Sequence, residues 1–276
     1  MEKIDLHIHS SFSDGDDFID DIIKYLKDNN YEYFSITDHD SIESYYEIKN
    51  KDLGNLKYIS GVEISTYHNM LCFHILGYNF HGNIESLEKL LEDINKKRVL
   101  RAKESIKKIE ERNHVKFLDD DIKKVLSYNV VGKKQIAKLL KKNNFGDDYT
   151  YLLKNYMTGL HPSISYRVDI KDACLSIKNS GGTPVLAHPK EYEIRYNIKI
   201  EDYIEELIKS GILGIEVFHS IHTLEDTLRY LSICKKYNLL ITGGSDYHGK
   251  SKNNTKIGDY IKLDNEHFTI IDVLNK

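Results

Sequence analysis

Asp5-Leu6-His7-Ile8-His9-Ser10-Ser11-Phe12-Ser13-Asp14-Gly15 is the stretch from which the rest of the chain is read. Ile4, Leu6 and Ile8 alternate with Asp5, His7 and His9. A strand sends successive side chains to opposite faces, so one face here is apolar and the other presents two imidazoles. Imidazoles side by side on a strand pack poorly and ligate well. The Ser-rich residues closing on Asp14-Gly15 read as a loop that leaves the strand's carboxyl end and brings Asp14 back beside it. One such pair arises by chance on many surface strands; here the pattern recurs along the chain.

Working outward, Phe18, Ile22, Ile23, Tyr25 and Leu26 fall at helical spacing, and a β-rich run over 31–37 stops at Asp38-His39-Asp40. A short helix capped by Ser41 follows. Residues 56–65 predict a third strand placing Glu63 near its end, and 70–78 a fourth carrying His74 among apolar neighbours. From 84 to about 112, then over 119–126 and 133–142, the spacing is helical with no strand between. Residues 95–165 therefore read as a helical insertion closing at Gly159-Leu160-His161-Pro162, with 1–94 and 166–276 as the main body.

Alternation then resumes. A helix over 169–179 leads to a strand at 183–187 ending in His188-Pro189, and a helix at 200–209 leads to a strand at 213–218 with Glu216, His219 and His222 at its end. A helix at 224–237 precedes a last strand, 239–243, which ends in Gly244-Ser245-Asp246-Tyr247-His248. Seven strands alternating with helices predict an α/β fold with a parallel sheet, most naturally closed into a barrel. Polar ligand types sit at nearly every strand's carboxyl end, where barrel enzymes build their sites.

The chain has 276 residues, 40% hydrophobic and 30% charged, enough for one large α/β domain with an inserted element. It opens with no basic-then-apolar leader and has no apolar run near the roughly 18 residues that span a bilayer, so a soluble, cytoplasmic protein is expected. Cys72, Cys174 and Cys234 are odd in number and scattered, which fits reduced thiols. Net charge is −4, but residues 95–145 hold 16 Lys and Arg against 6 Asp and Glu, a surplus of ten that leaves −14 elsewhere. Such a split suits a segment facing a polyanion above an acidic body that holds cations, or a solvated Lys-rich face.

His7, His9, Asp14, Asp38, His39, Glu63, His74, His188, Asp246 and His248 make the constellation. Imidazole and carboxylate donors without thiolates suit first-row divalent ions such as Mn²⁺, Fe²⁺ or Zn²⁺. With about four to six ligands per ion, one mouth of this size implies two or three ions and a bridging carboxylate, for which Glu63 is the candidate.

Asp5 to Gly15, Thr37-Asp38-His39-Asp40, Gly61-Val62-Glu63, His74, Ala187-His188-Pro189 and Ser245-Asp246-Tyr247-His248 resemble, in order and composition, the metal motifs of the polymerase and histidinol phosphatase (PHP) family. The resemblance spans nearly the whole chain. It implies a distorted (β/α)7 barrel with a trinuclear site: His7, His9, Glu63 and Asp246 on one ion, Glu63, His74 and His188 on a second, and Asp14, His39 and His248 on a third. Asp38 would orient a ligand rather than bind metal.

The length, the insertion and the 216–222 stretch look most like the family's nucleotide phosphoesterases, which dephosphorylate nucleoside 3',5'-bisphosphates or trim RNA from its 5' end. Where that branch usually has Arg-Pro-His after a Gly, this chain has Gly132-Lys133-Lys134-Gln135, which keeps charge without the guanidinium fork. Metal-activated water is then the expected nucleophile on phosphorus. Candidate proton donors to the leaving oxygen are His219 and His222, with metal-bound water as their rival. Arg98 and Arg101, with Lys133, Lys134 and Gln135, are candidate substrate contacts for a second phosphate or an RNA backbone. The expected substrate is a phosphorylated small molecule or short RNA, and no protein partner or membrane is called for. Two alternatives stay open: a histidinol-phosphatase-like phosphomonoesterase, and a non-catalytic metal-stabilised module that binds a partner through its Lys-rich helices.

Overall fold

The structure, a computed structural model, describes residues 3–160, 166–250, 255–261, 263 and 268–274. Strand β1 (Ile4–Ile8) is followed by α1 (Ile19–Asp28), β2 (Tyr33–Ile36), α2 (Glu43–Ile48), β3 (Lys57–Tyr58), β4 (Gly61–His68) and β5 (Leu71–Tyr78). Next come α3 (Glu85–Asn113), α4 (Asp119–Leu126), α5 (Lys133–Lys142) and α6 (Tyr149–Leu152), the last running into a π-helical turn at Leu153–Met157. The chain continues through β6 (Val168–Asp169), α7 (Ile170–Asn179), β7 (Thr183–Leu186), α8 (Pro189–Tyr196), a 3₁₀ turn at Ile200–Asp202, α9 (Ile204–Ser210), β8 (Gly214–His219), α10 (Leu224–Tyr237), β9 (Leu240–Gly244) and α11 (Thr269–Leu274).

Local chemistry sets these boundaries. In α1, Ile19, Ile22, Ile23 and Leu26 are buried along one helical face, while Asp20 and Asp21 meet the positive end of the helix dipole and Lys27 the negative end. Helix α10 opens on a capping box between Thr223 and Asp226 and ends at Asn238, whose φ of 53° terminates the helix. The helices expected over 119–126 and 133–142 form at those residues. The short helices α6 and α8 and the two-residue strand β6 were not foreseen.

Strands β1-β2-β3 form a parallel sheet, and β6-β4-β5-β7-β8-β9 form a second, mixed one. The pairing thus differs from a single closed barrel of parallel strands, because β5 runs antiparallel to both β4 and β7. The cause is the link Asn69-Met70, whose φ values of 47° and 66° suit a tight hairpin. A parallel return would need about a dozen residues. The strand expected over 56–65 is likewise two strands, broken at Ile59-Ser60, because β3 joins the first sheet and β4 the second. Gly61 allows this crossing: a Cβ there would overlap the Ser35 hydroxyl. The sheets meet at single bridges, Ile8 with Tyr247 and His39 with Glu63, and the Asp246 N–H donates to the His7 carbonyl at 2.9 Å. These junctions lie beside the residues marked as ligands.

The main core gathers Leu6, Val62, Ile64, Phe73, Ile75, Val185 and Ile215, and a smaller one lies where α1 covers β1 and β2. Helix α3 spans two cores. Leu87, Leu91 and Ile94 pack into the main one, whereas Ala102, Ile106 and Ile109 join a separate cluster with Val125, Leu139, Leu140 and Leu152. The expected return of the chain at His161-Pro162 lies outside the described residues. All three cysteines are buried and none is in a disulfide. Among the described residues no helix is long and apolar enough to cross a membrane.

Candidate metal centre

His7 on strand β1 and His9 just past its end are fully buried, with their Nε2 atoms 3.1 Å apart. Glu63, from β4, sits at the centre of the group. Its Oε2 lies 2.8 Å from His39 Nδ1, 3.3 Å from His9 Nε2 and 3.6 Å from His7 Nε2. Its Oε1 lies 2.9 Å from His188 Nε2 and 3.0 Å from His74 Nδ1. Five imidazoles therefore converge on one carboxylate. Asp246 Oδ1 is 3.1 Å from His9 Nε2 and 3.4 Å from His7 Nε2, and Asp14 Oδ1 is 3.1 Å from His248 Nε2. All nine residues expected as ligands are thus brought together.

The packing fits cations. Donor atoms of His9, Asp14, His39 and His248 lie within 4.8 Å of one another, as do those of His7, His9 and Asp246, and of His39, Glu63 and His74. Glu63 Oε2 and His39 Nδ1 are buried without a hydrogen bond despite facing each other, as is His9 Nδ1. A divalent ion would satisfy such lone pairs, and no thiol competes for it.

Outer contacts hold the ligands in place. His7 Nδ1 donates to Glu216 Oε1 at 2.9 Å, which turns His7 Nε2 toward the cluster, and Glu216 Oε2 accepts the His188 N–H at 2.8 Å. Glu216 was visible at its strand end but had no assigned role; its partner stands 209 positions away. Asp38 accepts from Ser10 N–H, Ser10 Oγ and Ser13 Oγ at 2.6–2.8 Å, so it fixes the loop that carries Asp14. Gly15 closes that loop where a Cβ would overlap the His9 carbonyl. Asp40, His188 and Asp246 all have positive φ (48°, 23° and 55°), which is backbone strain gathered at the cluster.

Without cations the group balances itself with protons. Burial pushes the Glu63 carboxyl up, but the facing imidazoles of His39, His74 and His7 outweigh it and hold it well below the usual carboxylate range. Asp246 is held low in the same way against its own burial, chiefly by His248 and His7. Burial alone would lower His9 and His188; the surrounding carboxylates reverse this and raise both to about 9. Burial dominates at His74 and lowers it to about 4. A histidine with a raised folded pKa stabilises fully below its unfolded value of about 6.5 and loses that contribution as pH rises through the folded value. Metal-free protein is therefore expected to lose stability between about pH 6.5 and 9, while apparent metal affinity climbs over the same window as protons leave. Urea unfolding of chelated and Mn²⁺-loaded protein checks this; a flat metal-free profile would contradict it.

A cavity of about 500 Å³ opens over the cluster, with Asp14, His39, Glu63, His74, His188, Asp246 and His248 on its floor. Arg101, Lys133, Arg167, Arg195 and Tyr166 are among its lining. Arg101 and Arg167 lie 4.8 and 4.7 Å from the centre of the Tyr166 ring. Arg98, Lys134 and Gln135 line the cavity as well, and each is also engaged by the protein itself. Arg98 is buried, and its Nε donates to Asp40 Oδ2 at 2.8 Å. Lys134 donates to the Asp14 carbonyl and to Asp16, and Gln135 bonds the Ser13 carbonyl and caps its own helix. His219 and His222 do not line the cavity. Burial lowers both below the usual imidazole range, His222 to about 4. His219 Nε2 instead points toward Asp246 Oδ2, 3.9 Å away. Tyr166, Arg167, Glu191 and Arg195 escaped the sequence reading. For the last two a signal existed, because they stand three and seven positions beyond His188, on one face of a helix that Pro189 begins.

Comparison with known proteins agrees with this geometry. A family model for the PHP domain matches residues 5–166, more than half of the chain. A phosphoribosyl 1,2-cyclic phosphate 1,2-diphosphodiesterase of Eggerthella lenta is 27% identical over 256 residues, which cover 89% of this chain and 94% of that one. The 3',5'-nucleoside bisphosphate phosphatase of Chromobacterium violaceum is 25% identical, covering 94% and 91%. A 5'-3' exoribonuclease of Haemophilus influenzae is 28% identical, covering 90% of each. Among solved structures, a proposed metal-dependent phosphoesterase from Bifidobacterium adolescentis superposes with a TM-score of 0.84 at 20% identity, over 99% of this chain and 96% of that one. An amidohydrolase from Chromobacterium violaceum gives 0.79 at 24% identity, over 95% and 92%. Both of these likenesses are of fold. Matched through the segments that carry His7, His9, His39, Glu63 and His74, the chain belongs to the PHP domain family.

Proposed function

We propose that this chain is a metal-dependent phosphoesterase that hydrolyses phosphate esters of nucleotides, a nucleoside 3',5'-bisphosphate or the 5' end of short RNA. The observation that carries the reading is the pairing of two surfaces in one cavity: imidazoles gathered on Glu63 as floor, and Arg101, Lys133, Arg167 and Arg195 as wall. His7, His9, Glu63 and Asp246 would hold one ion, Glu63, His74 and His188 a second, and Asp14, His39 and His248 a third. Bound divalent ions supply Lewis acidity toward phosphoryl oxygens and lower the pKa of water.

The protein's own part is to orient the ester. Glu216 fixes which nitrogen His7 presents, Asp38 fixes the Asp14 loop, and the wall cations receive phosphate oxygens away from the reacting phosphorus. His219 fits better as a neutral neighbour of Asp246 than as a proton donor. Strands β1, β2, β4, β5, β7, β8 and β9 we read as a distorted seven-stranded barrel, with 95–165 as its basic helical lid. The related proteins support the substrate class, since their names all concern phosphate esters of ribose, nucleotides or RNA. A cavity needing only one phosphate, as for histidinol phosphate, would have no use for that wall.

The test is turnover by Mn²⁺-loaded protein of nucleoside 3',5'-bisphosphate, 5'-phosphorylated RNA, a cyclic ribose phosphate, histidinol phosphate and an aryl phosphate. The nucleotide substrates are expected to be preferred; preference for histidinol phosphate, or no turnover at all, overturns the reading. Arg101→Met is expected to lower kcat/KM for the bisphosphate by about 10–100-fold, the loss of one charged hydrogen bond of roughly 1.5–3 kcal/mol. It should leave the aryl phosphate nearly unchanged, and equal losses on both would contradict the assignment.

A further inference from the structure

The ligands of the cluster are not all held by the strands. Helix α5 starts against the loop that carries Asp14: Lys134 Nζ donates to the Asp14 carbonyl at 2.6 Å and to Asp16 Oδ1 at 2.7 Å, and the Gln135 amide donates to the Ser13 carbonyl at 3.0 Å. The oxygen of that amide accepts the Gly132 N–H at 2.9 Å, so the start of the helix and the loop are tied by one side chain. A second tie lies on α3. Arg98 pairs with Asp40, the residue after His39, and Asn95 Nδ2 donates to the Asp40 carbonyl at 2.9 Å. His7 and His188 are fixed instead by Glu216 on β8, and the His74 backbone by the Tyr192 hydroxyl.

The tie from Lys134 and Gln135 ends at Asp14, which belongs to the group His9, Asp14, His39 and His248 alone, whereas the tie from Arg98 ends beside His39, which that group shares with the group of Glu63 and His74. We infer that the helical segment sets the affinity of the one metal position that includes Asp14, with Lys134 as the positioning residue acting through the Asp14 loop. The inference rests on the reading of the cluster as a divalent-metal site. Asp14 stands on a turn whose open form does not bind, and the apparent affinity of a site falls with the fraction of time it is formed. Holding the turn by an ammonium on a packed helix raises that fraction for one position and leaves the strand-held positions alone.

The experiment is a Mn²⁺ titration of metal-free full-length protein, read by equilibrium dialysis with metal analysis, beside circular dichroism of each variant. Lys134→Met keeps the stem and removes both hydrogen bonds; it is expected to weaken one bound ion by roughly 10-fold or more, within the range for outer contacts of metal ligands, with the others unchanged. Asp16→Asn, which keeps the shape of the loop, is expected to shift the same ion by less. Lys138→Met, on the same helix but exposed, is expected to change nothing. Equal weakening of every ion, or titrations of Lys134→Met and Asp16→Asn that overlay the unaltered chain, would overturn the inference. Failure of the unaltered chain to take up any ion would instead remove the metal reading beneath it.

Discussion

Glu63→Gln is expected to lower kcat by roughly 10³-fold or more, which corresponds to about 4 kcal/mol of transition-state stabilisation. The amide keeps the shape of the side chain, and the flanking Val62 and Ile64 stay in the main core, so the fold should survive. The charge between the five imidazoles is lost. Both oxygens of Glu63 face ring nitrogens at 2.8–3.6 Å, and an amide nitrogen in either place cannot ligate a cation. Metal content should fall together with activity. In metal-free protein the raised pKa values of His7, His9 and His188 should drop, since Glu63 is among the groups that raise each of them. Asp246→Ala is expected to act in the same direction. A Glu63→Gln variant with near-normal turnover and full metal content would exclude Glu63 as the shared ligand.

Arg98→Met carries the largest expected cost in stability, about 3–5 kcal/mol, because it strands a buried carboxylate. Asp40 is fully buried, and its Oδ1 also accepts the Ser65 N–H at 2.8 Å. Burial pushes its carboxyl up, but the Arg98 guanidinium outweighs this and keeps it below the usual range. With the guanidinium removed, the charge loses its partner while remaining out of water. The double variant Arg98→Met with Asp40→Asn should recover much of the loss, and a double-mutant cycle in urea measures the coupling. A single-variant cost below about 1 kcal/mol, the value of an exposed pair, would show that the pair does not bridge α3 and the cluster as described. Arg98 as a phosphate contact predicts the reverse pattern, a raised KM with stability unchanged.

The Arg98–Asp40 pair shows what the sequence could and could not display. The clustered side chains were legible because each signal is local: His7 and His9 alternate with apolar residues along and just past one strand, and Asp38-His39, Glu63, His188 and Asp246-Tyr247-His248 stand where apolar runs stop. Helices α4 and α5 were legible for the same reason, from spacing alone. Residues that act through distant partners were not. Arg98 finds Asp40 58 positions away and Lys134 finds Asp14 120 positions away, and periodicity carries no record of either. The hairpin between β4 and β5 was hidden because Asn69-Met70 lacks the glycine that usually marks two consecutive residues of positive φ. The helix after His188 was hidden because its eight residues lack a long apolar period, although proline suits a first helical turn.

Anomalous diffraction at the manganese edge, from crystals of the reconstituted protein, tests most directly whether these residues share cations. The expected result is more than one peak among the nine side chains, with the Glu63 carboxylate between two of them and His7, His188 and Asp246 in contact. A Mn²⁺-soaked crystal with no peak inside this group, or with its peaks only elsewhere on the molecule, would contradict the account at its centre.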